Sequence, residues 1–436
     1  MNLNEQAKPA AAPEISERVG ARPLGPPRGA VGHGREPSSV APARSPLVPL
    51  ALAAGLYFCR VTRGTAEDHA DYRFESYQED AGRIGVETQS WLFEKKLTSW
   101  LSLRGQAVYD AISGATPSGA PPPSQIAFAT PQTVPLSSSV PTLFMRDKRW
   151  AGSLDGIITA GSQRITPQFA YSSEHDYLSY GASLNYAVDF NQKNTTLNLG
   201  WSHDWDRILP NSATFIGAPE HKDTDSFLIG VNQLLSARTV LTVNFSYANA
   251  HGYLADPYRG VVFDDYPQTD ADNLSLFGEK RPRHRQSFIG YASILQYITP
   301  LHGGVEGSYR FFHDTFGIDA HTLAIAWHQK LGARVTVSPL FRYYVQSAAG
   351  FYATHFAGDP SDPTNPTPVP AYYSADYRLS ELNAFTYGVE ASVRALEWLS
   401  FDAAFKRYEM SGLDHVTSAS AYPKANIATL GARVWF

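Results

Sequence analysis

The residues best equipped for chemistry in this 436-residue chain are a few histidines, carboxylates and serines, and their spacing limits what they can do. His313, Asp314, His321 and His328 carry the imidazole and carboxylate groups that suit zinc or copper. Both segments alternate, with Val305, Tyr309 and Phe311 in phase with His313, and Leu323, Ile325 and Trp327 in phase with His321. His328 falls on the opposite phase, so the four side chains are not expected to converge on an ion. Ser202 and His203 pair a nucleophile with a base, but neighbours in a strand point to opposite faces. No Gly-x-Ser-x-Gly nucleophile elbow occurs. Asp264, Asp265, Asp270, Asp272, Asp359 and Asp362 offer oxygens suited to calcium, yet no loop has EF-hand spacing and acidic loops are commonly solvated. The expectation is a chain with no catalytic residue, cofactor or metal, and not an enzyme.

What would hold these residues is a long series of amphipathic strands. From about residue 71 the pattern alternates with period two, broken by turn signals. Leu178, Tyr180, Ala182, Leu184, Tyr186, Val188 and Phe190 share one face, and Ser179, Gly181, Ser183, Asn185 and Asp189 share the other. Phe385, Tyr387, Val389 and Val393 oppose Thr386, Gly388, Glu390 and Arg394 in the same way. Such runs exceed ordinary soluble strands and match the nine to eleven tilted residues that cross a bilayer. Short links at 94–98, 161–164, 190–194, 235–238, 299–303, 330–333 and 395–398 alternate with long links at 111–148, 207–222, 252–284, 350–376 and 411–424. Short periplasmic turns and long external loops alternate in outer-membrane barrels. Counting from Asp71–Gln78 to Ala425–Phe436 gives an all-β, up-and-down transmembrane barrel of sixteen strands. Twelve or fourteen follow if a weaker run such as 149–160 is not a strand.

Composition agrees. Hydrophobic residues are 43% and aromatic residues 13%, with mean hydropathy of −0.26 and no apolar run long enough for a membrane helix. Residues 1–66 carry eight Lys/Arg and four Asp/Glu; with the whole chain at −5, residues 67–436 stand at −9. No basic stripe of the kind nucleic acid requires is present. Residues 1–66 read as a disordered extension with a signal-peptide-like segment, its apolar run at 47–58 preceded by Arg44, and with cleavage expected after Ala66. Its long charged front and Arg60 and Arg63 depart from an ordinary signal peptide, as a start codon assigned too early would. The only cysteine, Cys59, lies in that segment, which suits an oxidising periplasm. Residues 67–436 are the barrel.

The phase also sorts charges. Glu87, Arg104, Asp155, Glu306, Arg310, Arg342, Glu390, Arg394, Asp402, Lys406 and Arg433 are expected to face the lumen. Charges on an inner wall are costly unless water or partners satisfy them, and a sixteen-strand barrel is wide enough for water. They suit either an aqueous channel or a salt-bridged scaffold, and the link 111–148, stiffened by Pro121, Pro122 and Pro123, could fold inward as a constriction. The last strand alternates through Ala428, Leu430, Ala432, Val434 and Phe436. Leu430, Val434 and the terminal Phe436 resemble the signature by which barrel-assembly machinery recognises its substrates.

Several motifs occur in order. Tyr72-Arg73 leads to Tyr77-Gln78-Glu79-Asp80, and then come Tyr109 to Pro117, Asp189-Phe190-Asn191 with Lys193 to Thr196, and Gly252 to Tyr258. Asp314 to Ile318 with His321-Thr322, Arg342 to Ala349, and Tyr373 to Ser380 complete the set. Over essentially residues 67–436 they resemble the domain-of-unknown-function 3570 family of bacterial exported proteins. That family implies no established activity, so no functional residue is carried over. The expectation is a Gram-negative outer-membrane barrel with both termini periplasmic, porin-like and passing small polar solutes. The alternative is a non-conducting outer-membrane scaffold for an exported partner protein, redox-linked or otherwise. Expected partners are outer-membrane lipid and the assembly machinery, and no nucleic acid.

Overall fold

A computed structural model describes residues 68–133, 135–208 and 218–436, so the extension and its signal-like run lie outside the described residues. The alternating runs form β1 His69–Glu79, β2 Gly85–Lys96, β3 Leu101–Pro117, β4 Thr142–Ala160, β5 Gln163–Ser173, β6 Tyr177–Phe190, β7 Thr195–Ile208, β8 Glu220–Ser236 and β9 Thr239–Gly252. Two short strands, β10 Gly260–Val261 and β11 Phe277–Gly278, pair with each other inside a loop. The wall resumes with β12 His284–Ile298, β13 Gly303–Asp314, β14 Asp319–Leu331, β15 Val335–Gln346, β16 Leu382–Leu396, β17 Leu399–Gly412 and β18 Lys424–Trp435. Sixteen antiparallel strands close in chain order, and β1 seals against β18 from His69↔Trp435 to Glu79↔Ala425. Closure leaves no strand edge without hydrogen-bond partners, which a lipid environment demands.

Both described ends lie at the rim that carries the seven short turns. The opposite rim carries links 80–84, 118–141, 174–176, 253–283, 315–318, 347–381 and 413–423, together with the facing ends of β7 and β8. The strands around the first long link run further than their sequence suggests, shortening 111–148 to 118–141, and 149–160 is part of β4. Residues paired across strands share a face, so the register sorts the walls. Leu154, Phe169, Phe227, Phe245, Ile325 and Leu430 form an exposed apolar band on the outside. Aromatic pairs border it toward the loop rim, with Tyr109 against Trp150 at 4.7 Å and Tyr171 against Tyr180 at 5.4 Å. Such a band with aromatic girdles is the outer surface of a transmembrane barrel.

Glu87 corrects the phase read from sequence. It pairs with Ser76 and Ala111 on the face that carries Trp91 and Phe93, and therefore points outward. The reason is physical. Near the loop rim the inner face of β2 is itself apolar, since Val86 packs against a buried cluster of Tyr77, Ile84, Ala384, Tyr408 and Ala425. Apolar character there no longer marks the lipid side.

Candidate functional site: a polar lumen beneath a loop cap

The inner wall changes character along its axis. Toward the turn rim it is ionic and exposed. Arg73 reaches Asp402 at 3.6 Å with its side chain 60% exposed, and Arg104 meets Glu94 at 2.8 Å and Asp155 at 3.6 Å while 40% exposed. Lys406 contacts Glu390 at 2.5 Å, and Arg433 contacts Asp71 at 2.5 Å. Arg394 lies 5.2 Å from the Trp435 ring. Across the lumen, β5 to β9 present many small or neutral polar groups, among them Gln168, Ser183, Asn185, Asn198, Ser202 and Asn244, beside an Arg164–Asp189 pair at 3.7 Å. Toward the loop rim the inner positions Tyr77, Asp110, Asp206, Asp314, Leu382 and Tyr408 are all buried.

What buries them is a cap of interlocked loops. Links 118–141, 253–283 and 347–381 leave the ring at intervals of six, four and six strands, so they meet only by reaching across the mouth. At the ordinary strand spacing and tilt that mouth is roughly 30 Å across. Gly260 donates its N–H to Ser118 O at 2.6 Å, and Ala129 to Gln268 O at 2.8 Å. Lys280 and Tyr373 exchange two backbone bonds of 2.9 Å, and Asp264 N donates to Phe356 O at 2.8 Å. Link 413–423 joins through the Tyr352 and Thr417 hydroxyls, 2.5 Å apart, and through Ser380 and Tyr422, 2.7 Å apart. Tyr258 Oη donates to Asp176 of link 174–176 at 2.8 Å.

At the centre of the cap three arginines meet three carboxylates. Arg281 lies 2.7 Å from Glu279 and 2.9 Å from Asp376, with all three side chains 0% exposed. Arg378 contacts Asp376 at 2.6 Å and also Asp256. Arg259 sits 3.6 Å from Asp256 and 3.7 Å from Asp376, and its guanidinium donates to Thr116 Oγ1 at 3.1 Å and to Pro117 O. Asp256 N–H and the Ser374 hydroxyl donate to Glu279. Val261 and Phe263 seal one side and Tyr377 and Leu379 another. Burial alone would raise the Asp376 carboxyl, but Arg378, Arg259 and Arg281 together hold it well below the carboxylate range. Burial also raises Glu279; Arg281 opposes this, Asp376 and Asp256 add to it, and the carboxyl is pushed up to about 7.

Of the residues expected in the lumen, Arg104, Asp155, Glu306, Arg310, Arg342, Glu390, Arg394, Asp402, Lys406 and Arg433 stand on the inner wall, and Glu87 does not. Leu430 and Val434 face outward, and Phe436 stacks on Phe93 at 5.8 Å. His313 bonds Asp319 at 2.8 Å outside the barrel, while Asp314 turns inward to Arg285 at 2.5 Å. His328 is inside with Ser338 at 2.9 Å and Glu306 at 3.4 Å, so this set does not converge. Ser202 faces in and His203 faces out. The tract Pro121–Pro123 is buried in the cap, which places 118–141 inward. The ionic centre is what sequence reasoning missed. Its signal was present as Asp256/Arg259, Glu279/Arg281 and Asp376/Arg378, acid–base pairs two or three residues apart inside loops.

The family described as "Protein of unknown function (DUF3570)" matches residues 58–222 and 212–426. No curated protein matches the chain. Among solved structures, a "bacterial polysaccharide outer membrane secretin" is similar at 10% identity and TM-score 0.44, over 85% of this chain and 99% of that one. The siderophore receptor PirA from Acinetobacter baumannii is similar at 12% identity and TM-score 0.40, over 80% of this chain. PirA from Pseudomonas aeruginosa is similar at 11% identity and TM-score 0.36, over 85% of this chain. The chain spans 54% and 63% of the two receptors' lengths. These likenesses concern the barrel fold alone.

Proposed function

We propose that this chain, which belongs to the domain-of-unknown-function 3570 family, is an outer-membrane channel for small polar solutes, covered at its loop mouth by an ionically latched cap. The observation that carries this reading is the gradient along the inner wall. Charged side chains near the turn rim are exposed inside the barrel, Glu390 at 47% and Arg73 at 60%, whereas those at the loop rim are buried under the cap. Charges of that exposure need water, and a sixteen-strand barrel holds it. In this reading the long loops face outside a Gram-negative cell, the termini face the periplasm, and Leu430, Val434 and Phe436 present the last strand to the assembly machinery. No catalytic role is proposed for any residue. The test is swelling of proteoliposomes in neutral polar solutes of graded size. Slow entry through the natural chain and faster entry through Asp376→Ala are expected, and impermeability of both to every solute would end the channel reading.

The breadth of the cap favours one second reading, a non-conducting scaffold for an exported partner, redox-linked or otherwise. A stoichiometric periplasmic or lipoprotein partner in a pull-down, together with impermeable vesicles, would establish it over the channel.

A further inference from the structure

We propose that Arg310 and Arg342 form an anion-binding site on the inner wall beneath the cap, which takes solutes bearing a carboxylate, sulfate or phosphate group. The inference deepens the channel reading, and its role in solute passage rests on that reading. Arg310 stands on β13 opposite Thr322, and Arg342 on β15 opposite Ala324, with only β14 between them. Their partners Thr322 and Ala324 are successive inward positions of β14, so the two arginines share one patch of the inner face. Yet no carboxylate of the described residues lies within 4.0 Å of either. Their contacts are rings, Phe312 at 5.9 Å from Arg310 and Tyr344 at 6.0 Å from Arg342.

This is exceptional inside the barrel. Arg73, Arg104, Arg149, Arg164, Arg285 and Arg433 each lie within 3.7 Å of a carboxylate. Arg394 lacks one but is exposed near the turn rim, where water solvates it. Arg310 and Arg342 are half-buried. Acids on the same or neighbouring strands are already engaged, Asp314 by Arg285 at 2.5 Å, Glu306 by His328 at 3.4 Å and Glu390 by Lys406 at 2.5 Å. Two adjacent guanidiniums without a counter-charge are unfavourable in a partly dehydrated place. An oxyanion between them offsets both charges and accepts forked hydrogen bonds that suit its planar or tetrahedral oxygens. Tyr291, opposite Arg310, and Tyr408, which shares its partner Thr386 with Arg342, add polar groups to the same wall.

The test is calorimetric titration of the refolded full-length protein in detergent with sulfate, inorganic phosphate or succinate, at constant ionic strength held by chloride. Saturable binding is expected, at least tenfold weaker in Arg310→Gln and in Arg342→Gln. Arg342→Lys, which keeps the charge and loses the fork, should fall between. Arg238→Gln, in a turn at the far rim, should bind like the natural chain. Absence of binding, or binding by the two glutamine variants as tight as that of the natural chain, would overturn the site. Conductance of the same preparation separates the claims: current without anion binding sinks the site alone, and binding without current sinks the channel reading alone.

Discussion

At Asp376 three guanidiniums share one carboxylate, so its removal leaves Arg281 and Arg378 without their common acceptor. Breaking a buried pair from one side typically costs about 3–5 kcal/mol, because the remaining charge stays desolvated. Asp376→Ala should therefore admit protease to 253–283 and 347–381 while the barrel keeps its heat-modifiable migration. Unchanged protease resistance would refute the latch. Glu279 sets a pH dependence. Its folded value of about 7 lies above the ordinary 4.5, so its stabilising contribution is complete below about 4.5 and is lost as pH rises through 7. Asp376, held low, loses its contribution only in strong acid, outside that window. Amide exchange in the cap should accordingly be slower at pH 5 than at pH 8, by up to about 3 kcal/mol in opening free energy. Glu279→Gln should flatten the profile, and equal exchange at both pH values in the natural chain would contradict it.

At the scale of single elements, strands were legible because each carries its own period. The seven short turns fall where turn residues interrupt alternation, and the wall that faces lipid follows from runs such as Leu178 to Phe190. The strand ends were less so, since Ala111 to Pro117 pair with β4 while reading as loop, and Val86 packs inward where Glu87 faces out. Of the cap only the inward link with Pro121–Pro123 was legible, and its ionic centre was not. Asp256, Glu279 and Asp376 look like Asp270 or Asp272 in sequence, and only contacts between loops a hundred residues apart bury the first three and leave the others exposed. One residue marks where strand becomes cap. Gly252 ends β9 with φ +105°, and a Cβ there would lie 2.2 Å from the His221 carbonyl oxygen. Gly252→Ala should cost about 2–4 kcal/mol in urea unfolding from strain and overlap together, whereas Gly105→Ala meets open space and should be near neutral. On the outer face, Leu430→Arg should cost about 2–4 kcal/mol if that wall meets hydrocarbon, and folding at natural stability in bilayers would count against a transmembrane wall.

On the scale of the whole molecule, a closed wall and a cap divide the work. Sixteen strands satisfy their own backbone and turn an apolar band outward, which leaves the inner positions to hold charge and water. Four of the stretches that carry the family resemblance, 252–258, 314–318, 342–349 and 373–380, supply parts of the cap or the wall just below it, whereas 189–196 lies at the turn rim. The most direct measurement is planar-bilayer recording of the natural chain beside Asp376→Ala, each refolded to the same monodisperse state. Small, infrequent openings are expected from the natural chain, and severalfold larger, steadier current from the variant. No current from either, or equally large current from both, would contradict a channel closed by this cap.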